Sequence, residues 1–355
     1  MNTEIIVIKV NNGEIASEDM ASLEKAGAII KEGGLVAFPT ETVYGLGGDA
    51  LNPESSRKIY AAKGRPSDNP LIVHIAGWED VYRIAKNIPD EAKKLADAFW
   101  PGPLTMILPK SDVVPKETTG GLDTVAVRLP SDIIAREFIK KAGGFVAAPS
   151  ANISGRPSPT VAKYVVQDMD GRIDMIIDGG ENEIGLESTI VDLTINPPQV
   201  LRPGFITNDM LSTVLGMDVE TDRAIIEADS KTAPRAPGMK YRHYAPKGTL
   251  VIVEGKPDAV SAKICSMVEE DRAQGFKTGV IASDETADTY NADVVKSSGK
   301  AGDRKEAGHR LYSILRSFDD ENVERIYSES FTTDGFGAAV MNRLLKAAGH
   351  QKIEL

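Results

Sequence analysis

What this sequence lacks narrows its chemistry first. It has one cysteine, Cys265. A single thiol closes no internal disulfide, and a reducing, cytoplasmic setting follows as the expectation. The four histidines, His74, His243, His309 and His350, are far apart in the chain. None pairs with Cys265 at ligand spacing, so a structural zinc site is not expected. Aromatic residues make up 6% of the chain, few for a protein that stacks single-stranded bases. There is no run of about eighteen apolar residues, and no basic segment followed by a long apolar one at MNTEIIVIKV. No membrane span or secretory leader is therefore expected. Cationic excess is also missing. The formal net charge is −11, which argues against strong general nucleic-acid binding while allowing a local basic pocket. No Gly-x-Ser-x-Gly elbow occurs. Gly180 and Gly185 have phosphate-loop spacing, but Leu186-Glu187 stands where Lys and Ser/Thr would be needed. Gly45-Leu46-Gly47-Gly48 resembles a dinucleotide fingerprint, yet Pro39 to Tyr44 separates it from the preceding strand.

What is present is an ordinary globular composition, 41% hydrophobic and 26% charged over 355 residues, long enough for two domains. The organising stretch runs from Gly33 to Ile75. Gly33-Gly34 is a helix stop, after a helix from Ser17, a candidate N-cap, to Lys31. Leu35 to Phe38 reads as a buried strand ended by Pro39. Thr40, Glu41, Thr42, Tyr44 and the glycines 45, 47 and 48 read as a loop whose backbone approaches a ligand. A helix from Pro53 to Ala62 leads into Lys63-Gly64-Arg65-Pro66-Ser67-Asp68-Asn69-Pro70, a stiff cationic loop. Leu71 to Ile75 is the next strand, with His74 near its end. Further strands are expected at 104–108, 125–130, 145–148, 174–178 and 189–193, with helices at 90–99 and 132–141; Val200 to Gly204 closes the segment, and a short helix follows to Leu215.

From Gly216 to Lys247 the apolar periodicity fades. The Pro-bounded stretch ending PGMKYRHYAP reads as a linker that touches something, because Tyr, Arg and His crowd into it. Beyond it, strands at 249–253, 278–282 and 323–328 alternate with helices at 257–274, 303–318 and 336–348. That alternation predicts a small, mainly parallel α/β domain. The expected organisation is a first domain over 1–215, a linker or lid over 216–247, and a Rossmann-like α/β domain over 248–355.

The candidate site residues are dispersed. Lys63 and Arg65 supply charge. Ser150 and Asn152 follow an apolar strand, at the strand end where open α/β sheets bind ligands. Arg128 ends an apolar strand and needs a carboxylate, either its own or a ligand's. Glu187-Ser188-Thr189 lies beside Gly185. No nucleophile–base pair or metal cluster stands out. Hydroxyls, amides and cations without a nucleophile suit chemistry done by positioning and charge stabilisation, as in nucleotidyl or phosphoryl transfer.

FPTETVYGLG, KGRPSDNPLIVHI, WPGPLT, GLDTVAVRLP, APSANISGRPSPT, GLESTIVD and LRPG occur in one order between about residues 20 and 207. Together they resemble the YrdC-type domain of threonylcarbamoyl-AMP synthases. PGMKYRHYAP and the α/β segment after it resemble the two-domain form of that family. The resemblance implies an open, twisted mixed sheet with helices and a concave cleft. It implies a nucleotidyltransferase making threonylcarbamoyl-AMP and pyrophosphate from L-threonine, bicarbonate or CO2, and ATP with Mg2+. The product would serve threonylcarbamoylation of the adenosine beside the anticodon, with transient contact to the transferase machinery. By motif, Thr42, His74, Arg128, Ala148 and Ser188 would hold threonine. Arg65, Asn69, Thr124, Ser150, Asn152, Ser158, Arg202 and His243 would hold ATP. Lys63 and Arg65 would be catalytic, and no protein side chain would ligate the metal. An RNA-binding module, or a carbamoyl-transferring or hydrolysing enzyme on the same fold, are the alternatives.

Overall fold

The computed structural model describes residues 2–222, 235–236 and 243–355. The chain divides into two compact units. One comprises Met1–Ser154, Ser158–Glu183 and Glu187–Tyr241, the other Gly155–Pro157, Ile184–Leu186 and Arg242–Leu355.

The first unit is built on an 11-stranded sheet. In spatial order its strands are Glu4–Val7, Met175–Asp178, Val36–Phe38, Gly45–Asp49, Phe145–Ala148, Ile72–Ile75, Thr124–Arg128, Leu104–Pro109, Thr189–Asp192, Gln199–Arg202 and Glu220–Thr221. Pairing is mixed: Ile72–Ile75 runs parallel to Thr124–Arg128 but antiparallel to Phe145–Ala148. Helices Ser17–Lys31 and Ile133–Lys141 pack against each other, with Leu23, Ala26, Ile30, Phe138 and Ile139 in the core between them and the sheet. Leu46, Val73, Met106, Val127 and Val191 belong to the larger apolar cluster.

Two local expectations change. Ser17 is the first residue of its helix; the cap position is Ala16, and no side chain bonds there. Gly45, Gly47 and Gly48 form a strand, not a ligand-facing loop. Their role is packing. A Cβ on Gly47 would sit 2.8 Å from Val146 Cγ1, and one on Gly45 3.1 Å from the Phe38 ring. A glycine-rich run reads as a loop by propensity, but a strand squeezed between neighbours needs the same absence of Cβ. Periodicity also missed the helix Ala162–Met169, the hairpin of Val10–Asn11 with Glu14–Ile15, and the short strands Glu220–Thr221, Val294–Ser297 and Lys352–Glu354.

The second unit contains a five-stranded, wholly parallel sheet in the order Val294–Ser297, Thr278–Ala282, Arg325–Glu329, Thr249–Glu254, Lys352–Glu354. Helices Pro257–Ala273, Arg304–Asp320 and Phe336–Ala347 connect the strands. The mainly parallel α/β reading of this segment therefore holds. Among the described residues, no helix is long and apolar enough to cross a membrane.

Candidate active site on the first sheet

Strand register builds the site. His74 pairs with Arg128, Arg128 with Thr105, Thr105 with Ile190, and Ile190 with Arg202. Directly opposed residues share a face, so this row crosses five strands on one side of the sheet. Two residues back along the strands lies a second row on the same face: Ala148, Ile72, Ala126 and Ile107. A polar row beside an apolar one can meet a ligand that has a charged end and an apolar body.

Arg128 is 4% exposed, and its Nη2 lies 2.9 Å from Glu41 Oε1. The ion pair is close but poorly aligned. Among the described residues, Arg128 Nε and Nη2 and both Glu41 oxygens have no hydrogen-bond partner. A buried guanidinium with unspent donors suits a ligand carboxylate. His74 Nδ1 lies 3.1 Å from the Ile72 carbonyl, and its ring meets Phe38 edge-on. Burial, then the Arg128 charge, lowers its pKa to about 3, so the ring is neutral at physiological pH. Ser188 is bracketed by Thr105, whose hydroxyl lies 2.8 Å from its own, and by Arg202, whose Nη2 reaches Ser188 Oγ at 3.0 Å and whose Nε reaches the Ser188 carbonyl at 2.9 Å.

The loops close around this row. Asn52 caps the helix Pro53–Lys63, accepting from the Glu54 amide, and Pro53 stands in the first turn. Gly64 ends it at φ 62°, the left-handed conformation that glycine adopts without strain. That turn sends Lys63 inward and reverses the chain at Arg65. Lys63 is 1% exposed and donates to the carbonyls of Ser150 and Asn152, with Asn152 Oδ1 at 3.5 Å. Its charge is therefore built into the underside of the 150–152 turn. Ser150 Oγ donates to Asn152 Oδ1, and Asn152 Nδ2 to the Ile153 carbonyl. Arg65 reaches the carbonyls of Asn69, at 3.4 Å, and Pro70, at 3.2 Å. Asn69 is 1% exposed, and neither polar atom of its side-chain amide has a partner among the described residues. An unsatisfied buried amide is costly unless a ligand completes it.

Thr42 is fully buried, and its hydroxyl lies 2.9 Å from that of Thr40, which donates to the Val43 carbonyl. The Tyr44 carbonyl accepts from the Ala151 amide, which sets the 40–44 and 149–152 turns side by side. Ser158 donates to Glu187 at 2.6 Å. Thr124 opens the strand that ends at Arg128. Asp132, the cap of helix Ile133–Lys141, has its pKa raised to about 6 by burial and by Glu41 nearby.

Thr42, Lys63, His74, Arg128, Ala148, Ser150, Asn152, Ser188 and Arg202 are thus joined by contacts or strand register into one region of the first unit. His243 belongs to the second unit. There its ring packs on Tyr244, which stacks on Tyr312 at 5.2 Å. Met239 to Arg242 lie outside the described residues. Sequence reasoning missed three contributors. Glu41 faces Arg128, Thr105 faces Ser188, and Asn182 bonds the Thr40 carbonyl. The FPTETVYGLG motif contains Glu41, but only the fold shows what it faces. Two linker residues are also placed. Ala236 is fully buried against Ile72, Ile107, Ala126, Ile190 and Leu201, the apolar part of the site face, and Arg235 pairs with Asp192 and Asp222.

Comparison with known proteins gives a consistent picture. A family model, Sua5_yciO_yrdC, described as "Telomere recombination", matches residues 28–204. A second, Sua5_C, described as the C-terminal domain of threonylcarbamoyl-AMP synthase, matches residues 206–349. The threonylcarbamoyl-AMP synthase of Pyrococcus abyssi is 49% identical over 330 residues, covering 93% of this chain and 95% of that protein. The Bacillus subtilis protein of the same name is 46% identical over 341 residues, 96% of each chain. The crystal structure of P. abyssi Sua5 complexed with L-threonine superposes with a TM-score of 0.92 at 46% identity, covering 99% of this chain and all of that one.

Proposed function

Since the chain belongs to the Sua5–YciO–YrdC family and matches both domains of its threonylcarbamoyl-AMP synthases, we propose that it joins L-threonine, bicarbonate-derived CO2 and ATP into threonylcarbamoyl-AMP. The threonine amine adds to CO2 and loses a proton, giving a carbamate. A carbamate oxygen then attacks the α-phosphorus, and pyrophosphate leaves with the electrons of the broken P–O bond. Neither step needs a nucleophile from the protein. Both need two anions held together and water kept from a labile carbamate.

The observation that carries this reading is the buried Arg128 with unspent donors, in line with neutral His74, two strands from Ser188 and three from Arg202. Arg128 takes the threonine carboxylate, exchanging its contact with Glu41 for a bidentate one. His74, Thr42, Ala148 and Ser188 shape the rest of the amino-acid site. Asn69, Arg65, Thr124, Ser150, Asn152, Ser158 and Arg202 take the nucleotide. Lys63 stabilises the phosphates through the turn it holds, and Arg65 does so directly. Among the described residues, no group of three or more His, Cys, Asp or Glu could hold a metal. Mg2+ would arrive with ATP, its ligands phosphate oxygens and water.

The 216–247 connector acts as a lid on this reading, which the seating of Ala236 on the apolar row supports. The product is a mixed anhydride that hydrolyses readily. It is consumed by a transferase acting on the tRNA adenosine beside the anticodon, in the cytoplasm, through transient contact. The test is product formation by the full chain with 13C-labelled bicarbonate. Labelled threonylcarbamoyl-AMP should appear with stoichiometric pyrophosphate only when threonine is present. ATP cleavage with no label in the product would defeat the assignment. Deleting Met239 to Tyr244 should cut product formation sharply, and full activity in that variant would refute the lid.

A further inference from the structure

The second unit holds a cavity that the reaction above does not use. Its volume is about 400 Å³, and all of its lining belongs to this unit. Its position follows from topology. The strand Thr249–Glu254 is followed by helix Pro257–Ala273 and a crossover to Thr278–Ala282, on one side of the sheet order. The neighbouring strand Arg325–Glu329 is followed by helix Phe336–Ala347 and a crossover to Lys352–Glu354, in the opposite direction. Right-handed crossovers in opposite directions put their helices on opposite faces. The two chains part at the carboxyl ends of adjacent parallel strands, the switch point where open α/β sheets take ligands. The cavity lies there, between Gly255 and Pro257 on one side and Ser330, Phe331 and Thr332 on the other.

Its floor is apolar: Val260, Ile281, Ala282, Ala307 and Val340. Its rim is the turn Ser298-Gly299-Lys300-Ala301-Gly302-Asp303, with Gly299 at φ 102° and Gly302 at φ 84°, which enters helix Arg304–Asp320. The acids around the cavity are committed. Glu329 accepts from the Ser283 amide, the Thr286 hydroxyl and the Tyr290 hydroxyl. Glu285 accepts from the Ala301 amide, and Asp303 caps the helix at Glu306. Arg304 is held by Asp334 and Thr332. The turn also offers uncommitted donors. Among the described residues, no acceptor meets the Lys300 ammonium, or the backbone N–H of Lys300 or Gly302. A glycine turn with the free amides of Lys300 and Gly302 and the Lys300 ammonium forms an anion cradle at the mouth of an apolar hollow.

We propose that this cavity is a second binding site, for a small phosphorylated ligand of mononucleotide class. The phosphate is taken by Lys300 and the 298–303 turn, and the base lies on the apolar floor. The volume admits one such molecule, and the site lies apart from the residues assigned to the synthase reaction. Its occupancy is therefore a means of reading nucleotide level in the domain that carries no proposed chemistry.

The test is hydrogen exchange of the full chain with AMP, ribose 5-phosphate or inorganic phosphate added, read peptide by peptide. AMP should protect the amides of 298–307 and 330–337. Lys300→Glu and Ala301→Trp, both at exposed positions, should each weaken that protection roughly tenfold or more in AMP concentration. Exchange in the first unit should respond to AMP as in the parent protein. Absence of protection at 298–307 overturns the proposal, as does protection unchanged in both variants. Equal protection by inorganic phosphate at the same concentration would overturn the mononucleotide class, since the floor would then contribute nothing. Failure of the synthase assay would leave each of these outcomes readable.

Discussion

Replacing Arg128 with alanine should damage two properties at once, and separating them tests the site. Arg128 and Glu41 are both 4% exposed at their side chains. Removing the guanidinium leaves Glu41 buried without its counter-charge, a loss of about 3–5 kcal/mol of stability for a broken buried pair. Threonine would lose a charge-assisted bidentate contact of about 1.5–3 kcal/mol. That converts to roughly a 10- to 100-fold rise in the threonine KM. The ATP KM should move little, because Arg128 lies beside His74 and Thr105, three strands from Arg202 and outside the Asn69 turn. The double variant Arg128→Ala/Glu41→Gln removes the orphaned charge. It should recover much of the stability and none of the threonine affinity. Pyrophosphate release over threonine and ATP titrations reads the first property, and denaturant unfolding reads the second. Parallel loss of affinity for both substrates would refute the assignment of Arg128. Recovery of the threonine KM in the double variant would show that the defect was only misfolding around Glu41.

Asn69→Ala should raise the ATP KM about tenfold while costing little stability, since the side-chain amide has no partner to lose; a large drop in melting temperature with unchanged ATP affinity would contradict this. Lys63→Met leaves the Ser150 and Asn152 carbonyls without their donor. It should cost about 2–4 kcal/mol and reduce turnover, and a fully active, stable variant would remove Lys63 from the site. The pH dependence has two opposing parts. His74, with its pKa lowered to about 3, takes a proton in the unfolded chain before the folded one, so its contribution is lost as pH falls below about 6.5. Asp132, raised to about 6, keeps its proton longer when folded, so its contribution is lost as pH rises from about 4 to 6. Asp132→Asn keeps a capping side chain and removes the second part. Relative to the parent, its stability should fall more steeply from pH 6 to pH 4, by up to about 1.4 kcal/mol per pH unit; identical profiles would show that Asp132 is not perturbed.

The sequence alone determined the local pieces. Asn52-Pro53 and Gly64 bound their helix because cap, proline and left-handed glycine act within a few residues. Apolar runs at 71–75, 125–130 and 145–148 were legible as strands, because a strand buried on both faces is mostly apolar. Ordered motifs carried the family and the polar residue types. Tertiary structure decided what those residues face. Register across five strands aligned His74, Arg128, Thr105 and Arg202, and no local pattern specifies which strands become neighbours. It made a strand of Gly45 to Asp49, because Phe38 and Val146 leave no room for a Cβ there. It set the Lys63 ammonium under the 150–152 turn, and gave Arg128 a buried partner in Glu41. Caps and propensities act over a turn of chain. Pairing, burial and charge compensation act through space, between residues that the sequence sets far apart.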